Sequence, residues 1–348
     1  MMMTVHRSSM FRVACTHVLL WGACLIALFP VLRVVSISFQ NTDTISQQME
    51  RFPPRGEATA GDYISFFMHA IVPPNLIESF SGNETKAEIV YMGAEVEIED
   101  EEDENENDGF GDLDSLDAQD KERYWYSNYV DLFQKHLFLQ WIYNSLVISM
   151  SASLIGLFLA ATTAYAFSRF DFPGKRIGVG FLLTTQMIPG PMMIIPIYLM
   201  IKSLGLGNSY AGLVIAMSVS TLPFSIMVLR GYFDTIPGSL EDAAKVDGCS
   251  TVESFFRILL PLSTPALAIA FLFNFTSAWS EFLLASTLID DVTLRPWTLG
   301  LMEFSGNFDS RWGLFAAGSV VIAVPSVALF LYSSKWVISG LTLGGVKG

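Results

Sequence analysis

The chain has 348 residues, 51% of them hydrophobic and only 16% charged, with a mean hydropathy of +0.44. An ordinary soluble domain carries about 25% charge, so these values argue against a water-soluble enzyme and for a membrane protein built on apolar runs of span length. The net charge of −14 sits in one place: residues 41–140 hold 23 Asp and Glu against 6 Lys and Arg, a balance of −17 that leaves +3 for the rest. Cys15, Cys24 and Cys249 form no disulfide framework and read as small apolar residues.

In chain order, residues 1–12 are a short basic start, and Val13–Phe39 is the first predicted span, with Arg33 able to snorkel at its far end. The run exceeds the 7–15-residue core of a signal peptide, so a retained span is expected rather than a cleaved one. Residues 40–140 form a large polar insert whose centre, residues 95–108, is nearly all Glu, Asp and Asn and is expected to be disordered. An EF-hand reading of that run fails because the alternating ligands, turn glycine and closing Glu do not occur together. The flanks around Tyr63–Leu76 and Tyr124–Leu139 carry aromatics suited to a small cap or to the membrane surface.

Residues 141–334 hold five further predicted spans: Trp141–Phe167, Ile177–Ile201, Ser209–Leu229, Leu262–Leu288 and Trp312–Ser334. The third contains Pro189, Pro191 and Pro196 and is expected to be bent and interior. Residues 335–348 form a short tail. With the N-terminus inside, short loops and ends on the cytoplasmic side hold ten Lys and Arg against three outside. That bias predicts both termini in the cytoplasm. The fold class is thus an all-α membrane protein with six spans, a large external insert after the first, and a cytoplasmic loop at residues 237–261.

That loop is the best-patterned polar segment. Pro237 and Gly238 break the preceding helix, Ser239 is placed as a cap three residues before Asp242, and Gly248 ends the short helix. Ser250 and Glu253 repeat the S-x-x-E start, and an apolar run leads to Pro261. Gly248 is expected either to adopt a left-handed backbone or to permit close approach by another protein. A plain surface helix pair is the alternative to a docking element.

Chemistry has little purchase on this chain. There is no G-x-x-x-x-G-K-[ST] phosphate loop, no G-x-S-x-G elbow and no Cys/His cluster, and the four histidines are scattered. No catalytic, cofactor-binding or metal-ligating residue is expected, and no nucleic-acid partner. Glu281 stands inside a predicted span, where a carboxylate is costly and should face a partner, the bundle interior or water. The bland reading makes it an interfacial anchor beside Trp279. Asn274, Ser277 and Glu281 are spaced to share one helix face, as a translocation path or subunit contact. A proton-coupled carrier would want several paired ionisable groups in different spans, and one central candidate is present.

The 239–261 segment resembles the EAA loop of binding-protein-dependent ABC importer permeases, in which E-A-A, G, I and L-P recur at fixed offsets. Asp242, Ala243, Ala244, Gly248, Ile258, Leu260 and Pro261 fall on that spacing, with Asp for Glu at the first position and Glu241 beside it. Tyr165–Ala166–Phe167 with Arg169, Phe172–Pro173–Gly174–Lys175, Gly231–Tyr232–Phe233 and the ending Gly340–Gly348 extend the resemblance to MalG-type permease subunits of bacterial maltose/maltodextrin importers.

The resemblance implies a permease subunit of the inner membrane that is not itself an enzyme. It would pair with a second homologous permease, and a homodimeric ATPase holding ATP and Mg would dock on Glu241, Asp242, Ala243, Ala244, Gly248, Ile258, Leu260 and Pro261. A periplasmic sugar-binding protein would meet the loop Asp290–Arg311, whose tip carries Gly306 and Asn307, and lipid would surround the spans. Import of trehalose, another oligosaccharide or a sugar phosphate is the alternative within the superfamily. A channel or membrane scaffold is the alternative outside it.

Overall fold

A computed structural model describes residues 27–40, 126–305 and 311–345, with side chains to residue 336, and the isolated positions His17, Leu20 and Cys24. The N-terminal segment 1–12, the acidic run 95–108 and the loop residues Gly306 and Asn307 lie outside the described residues. All regular elements described are helical: α1 Ala27–Ser38, α2 Ser127–Lys135, α3 Phe138–Arg169, α4 Lys175–Thr185, α5 Gly190–Ser203 and α6 Tyr210–Phe233. They continue with α7 Ser239–Val246, α8 Thr251–Leu262, α9 Thr264–Trp279, α10 Leu283–Leu288, α11 Trp297–Met302 and α12 Trp312–Gly345.

The chain divides into two compact units. In the smaller one, the end of α1 is tied to the start of α2. The Asn128 amide donates to the carbonyls of Ser38 and Gln40, both at 2.9 Å, and the Ser38 and Tyr129 hydroxyls lie 2.8 Å apart. Gly313 closes this joint, because a Cβ there would stand 2.7 Å from the Asn128 amide and 2.8 Å from the Gln40 carbonyl.

The larger unit is built on α3, α6 and α9 packed side by side. At 1.5 Å per residue the 32-residue α3 is about 48 Å long, against a hydrocarbon core of about 30 Å. It is therefore longer than the hydrocarbon core is thick. Among larger side chains such as Trp141, Ile148 and Tyr165, its buried face carries a run of small residues, Ser145, Ser149, Ala152, Ser153, Gly156, Ala160 and Ala164. Such residues let helix backbones approach where no hydrophobic effect drives them together. One apolar core joins Ile148, Ile201, Leu213, Met217 and Leu288; a second, toward the 234–263 loop, joins Tyr165, Leu229, Phe233, Phe255 and Leu259.

Among the described residues, α3, α6 and the Trp312–Trp336 part of α12 are each long and apolar enough to cross a membrane, and two bent pairs raise the count to at most five. Two expected spans are not single helices. The third breaks between α4 and α5 with a bend of 111°, because Pro189 and Pro191 remove backbone donors at the junction. It is bent as expected, but only its second half is interior: no residue of α4 is buried and Ile177, Phe181 and Met187 are exposed, whereas Ile197 and Ile201 of α5 are buried in the core. The fifth ends at Trp279, and α10 resumes after a turn. The expected loop at residues 290–311 holds α11, where Gly300 lies so close to the Trp141 ring that a Cβ would overlap it.

Candidate functional site

The 234–263 loop is a two-helix element with a distinct underside and outer face. α7 closes with the N–H of Cys249 on the Ala244 carbonyl at 2.9 Å and that of Gly248 on Lys245 at 3.1 Å. This is the paired pattern that ends a helix on a left-handed residue, and Gly248 has φ +89°. A Cβ on Gly248 would meet nothing within 4 Å. Its requirement for glycine is therefore backbone conformation, and no close approach within this chain demands it. The expected cap at Ser239 is not formed: Ser239 is already helical, and Gly238 occupies the cap position without a side-chain bond.

α8 does begin with the expected box. The Glu253 N–H donates to the Ser250 hydroxyl oxygen at 3.2 Å, and the Ser250 N–H donates back to the Glu253 carboxylate at 2.9 Å. The Ser250 N–H foremost, then the Ser250 hydroxyl, which donates to the same carboxylate at 3.0 Å, and the Arg257 guanidinium hold the Glu253 carboxyl below its ordinary range. A depressed carboxyl stabilises the fold above its ordinary pKa and loses that contribution as pH falls through the depressed value. We therefore expect hydrogen-exchange protection of amides 251–254, corrected for intrinsic rates, to decline as pH drops below about 4. Glu253→Gln should flatten that dependence, and Ser250→Ala should lower protection about fivefold at neutral pH.

The underside is anchored by a charge pair in which Glu241 is buried and Arg169 half-buried. Glu241, 5% exposed, accepts from the Tyr165 hydroxyl at 2.9 Å and from Arg169 Nε at 2.5 Å, and Arg169 also donates to the Ile236 carbonyl at 2.9 Å. Asp242, on the expected motif position, points outward and pairs with Lys245 at 3.2 Å. Ala244 and Phe255 are buried beneath the element, and Ile258 and Leu260 are half-buried. Ala243, Gly248 and Pro261 are exposed, and Leu240, Val246, Val252 and Phe256 give the outer face an apolar character. Tyr165 and Arg169, four apart at the end of α3, were not assigned as partners of Glu241 from sequence. Their i,i+4 spacing is the signal that could have found them.

Asn274, Ser277 and Glu281 do not share one helix face, because α9 ends between the last two. Asn274 is buried and accepts from the Ser225 hydroxyl at 2.6 Å, with Gly156 of α3 set against it. Ser277 is half-buried. Glu281 lies in the break, one residue before the cap position of α10, where its carboxylate accepts the Leu284 N–H at 3.0 Å and its carbonyl accepts from the Thr298 hydroxyl at 3.0 Å. It also lines a cavity of about 430 Å³ beside the α4–α5 junction.

A second polar joint had no sequence signal. Asn144, buried in α3, donates to the carbonyls of Thr293 and Arg295, both at 2.9 Å, and accepts from the Tyr210 hydroxyl at 2.7 Å. Nearby, Asn208 takes φ +52° and its side chain accepts the N–H groups of Asp290 and Asp291 at 3.1 and 3.0 Å.

The family described as binding-protein-dependent transport system inner membrane component matches residues 152–337, more than half of the chain. The chain belongs to this family. Its matched region runs from the small-residue face of α3 through the loop to α12, and the family's members are membrane subunits of transporters. The chain is 37% identical to the probable ABC transporter permease protein YurM of Bacillus subtilis, over 59% of this chain and 68% of the relative. It is 35% identical to the maltose/maltodextrin transport system permease protein MalG of Escherichia coli (60% and 73%) and to the diacetylchitobiose uptake system permease protein DasC of Streptomyces coelicolor (61% and 76%). In fold it is similar to a chain from the crystal structure of a bacterial ABC transporter that imports the acidic polysaccharide alginate. The TM-score is 0.65 at 20% identity, covering 95% of this chain and 98% of that one.

Proposed function

We propose that this chain is one half of the translocation path of an ATP-driven sugar importer, with an oligosaccharide of the maltose/maltodextrin kind as substrate. Six spans would place both termini and the 234–263 loop in the cytoplasm and the acidic insert outside. A second homologous permease would cover the bare apolar faces of α4 and α5. A homodimeric ATPase would bind ATP and Mg and seat the loop, and a sugar-binding protein would deliver cargo near Gly306 and Asn307.

The observation that carries this reading is the asymmetry of the loop. Its underside is locked to α3 through Glu241 and Arg169, while its outer face presents Leu240, Val246, Val252 and Phe256 to solvent. An element rigidly joined to a span and apolar on its free side can pass a partner's movement to that span. A mild-detergent pull-down read by quantitative mass spectrometry should recover an ATPase and a second permease, and a stable complex lacking any ATPase rejects the assignment.

The corner supplies the functional test. Gly248→Leu and Gly248→Ala should both reduce coupled uptake at least tenfold while leaving assembly intact, because both resist φ +89°. Gly248→Asn, which tolerates that conformation, should retain most of it. Loss with Leu alone would instead make partner contact the cause, and normal uptake in all three would remove the corner from the coupling path.

A further inference from the structure

Two helix interruptions from different parts of the chain open onto one cavity. The α4–α5 break contributes Thr185 and Gln186, the α9–α10 break contributes Glu281, and α6 contributes Ser220 and Phe224, around about 430 Å³. Irregular backbone at membrane depth survives only where protein covers it or water reaches it. The space is open rather than sealed in this chain: Gln186, Ile188, Pro191 and Ser220 on its wall are exposed, so solvent reaches both breaks. Glu281 is fixed there at both ends, its carboxylate on the Leu284 N–H and its carbonyl on the Thr298 hydroxyl.

The lining is mostly apolar, with residues such as Ile188, Met193, Ile194, Val219 and Leu283, and four polar side chains are set into it. The Thr185 and Ser220 hydroxyls donate to their own helices and remain as acceptors for sugar hydroxyls, beside the Gln186 amide and the Glu281 carboxylate, and the Phe224 ring, packed on Phe273, adds an apolar surface. The lining includes no Lys or Arg, so its one ionisable group is a carboxylate. A carboxylate beside a low-dielectric wall repels an anion strongly and costs a neutral polyol nothing. We propose that this cavity is a station for uncharged oligosaccharide, and that Glu281 excludes acidic sugars from this subunit's half of the path. The proposal rests on the importer reading for the identity of its cargo, while the charge bias stands on the cavity alone.

The assembled complex, with Cys15, Cys24 and Cys249 replaced by serine, provides the test. Ser220→Cys places a thiol in the cavity wall, and two methanethiosulfonates of similar size probe it, one bearing trimethylammonium and one bearing sulfonate. Relative to their rates with a free thiol, the cationic reagent should label at least about tenfold faster at low salt. Glu281→Gln keeps an acceptor for the Leu284 N–H and should bring the ratio near one. A ratio near one with Glu281 present, or a thiol reached by neither reagent, overturns the proposal. In a parallel arm, the complete system should take up maltotriose and not an alginate trisaccharide. Uptake of the acidic sugar with Glu281 intact also overturns it. An intact charge ratio with uptake of neither sugar counts against the importer reading on which the cargo rests. Uptake of maltotriose with a ratio near one overturns the present proposal alone.

Discussion

Arg169→Met should unseat the 234–263 loop by about 3 kcal/mol, the low end of what stripping one partner from a buried ion pair costs, because Glu241 is buried and Arg169 only partly so. Arg169 is the cation on Glu241, at 2.5 Å, and it also holds the Ile236 carbonyl at 2.9 Å. Methionine would fill much of the same volume while leaving the Glu241 carboxylate with the Tyr165 hydroxyl alone. A carboxylate away from water with one neutral donor is poorly compensated, so α7 should swing outward to rehydrate it. The expected readouts are loss of hydrogen-exchange protection in residues 239–254 and loss of sugar-stimulated ATPase activity, with the spans still inserted. Replacing both members by Met should recover more than half of the loss, since an apolar pair of similar volume carries no stranded charge. Protection in the single variant within about 0.5 kcal/mol of the parent would show that the pair is not what seats the loop.

Asn144→Asp should be the most damaging isosteric change in the α3–α6 core. Asparagine satisfies three partners at once, donating to the Thr293 and Arg295 carbonyls and accepting from Tyr210. Aspartate keeps the shape and the bond from Tyr210, but it replaces a two-hydrogen donor by an acceptor. Two carbonyl oxygens would then face a carboxylate oxygen at about hydrogen-bond distance. Each lost buried bond costs about 1–3 kcal/mol, more where charge is involved, so a loss of about 3 kcal/mol or more is expected. Asn144→Ala removes the same bonds without the repulsion and should be milder, although it removes more atoms. Thermal unfolding of the detergent-solubilised complex separates them: Ala less stable than Asp would mean that packing rather than hydrogen bonding sets the value of this position. Gln140 bonds Thr293 independently at 2.8 Å, so part of the joint should survive in either variant.

The features that were legible in the sequence are those whose physics closes within a few residues. A left-handed corner needs glycine whatever surrounds it, so Gly248 could be read as the end of α7. Its φ of +89° with open space around it then chose backbone conformation over close approach within this chain. The Ser250–Glu253 box is complete in four residues, and Pro189 and Pro191 remove donors from their own helix. Long apolar runs identify α3, α6 and α12 because a helix in lipid satisfies its backbone internally. Ser239 was misplaced as a cap by one residue, the distance over which competing helix starts at Gly238 and Ser239 differ little in local energy.

Choices between neighbours belonged to the tertiary structure. Glu241 and Asp242 are adjacent and chemically alike, and about 100° of helical rotation separates their directions. Only the docking of α7 against the end of α3 puts Glu241 on Arg169 and leaves Asp242 in solvent. Spacing placed Asn274 and Glu281 on one face, an inference that holds only while the helix is continuous. The turn after Trp279 sends one into the bundle and the other into a cavity wall. Asn144 shows the same dependence from the other side: its three partners lie 66 to 151 residues away in sequence. Local pattern carries no trace of contacts that long, because the helix surface around Asn144 is shaped by what the rest of the chain brings to it.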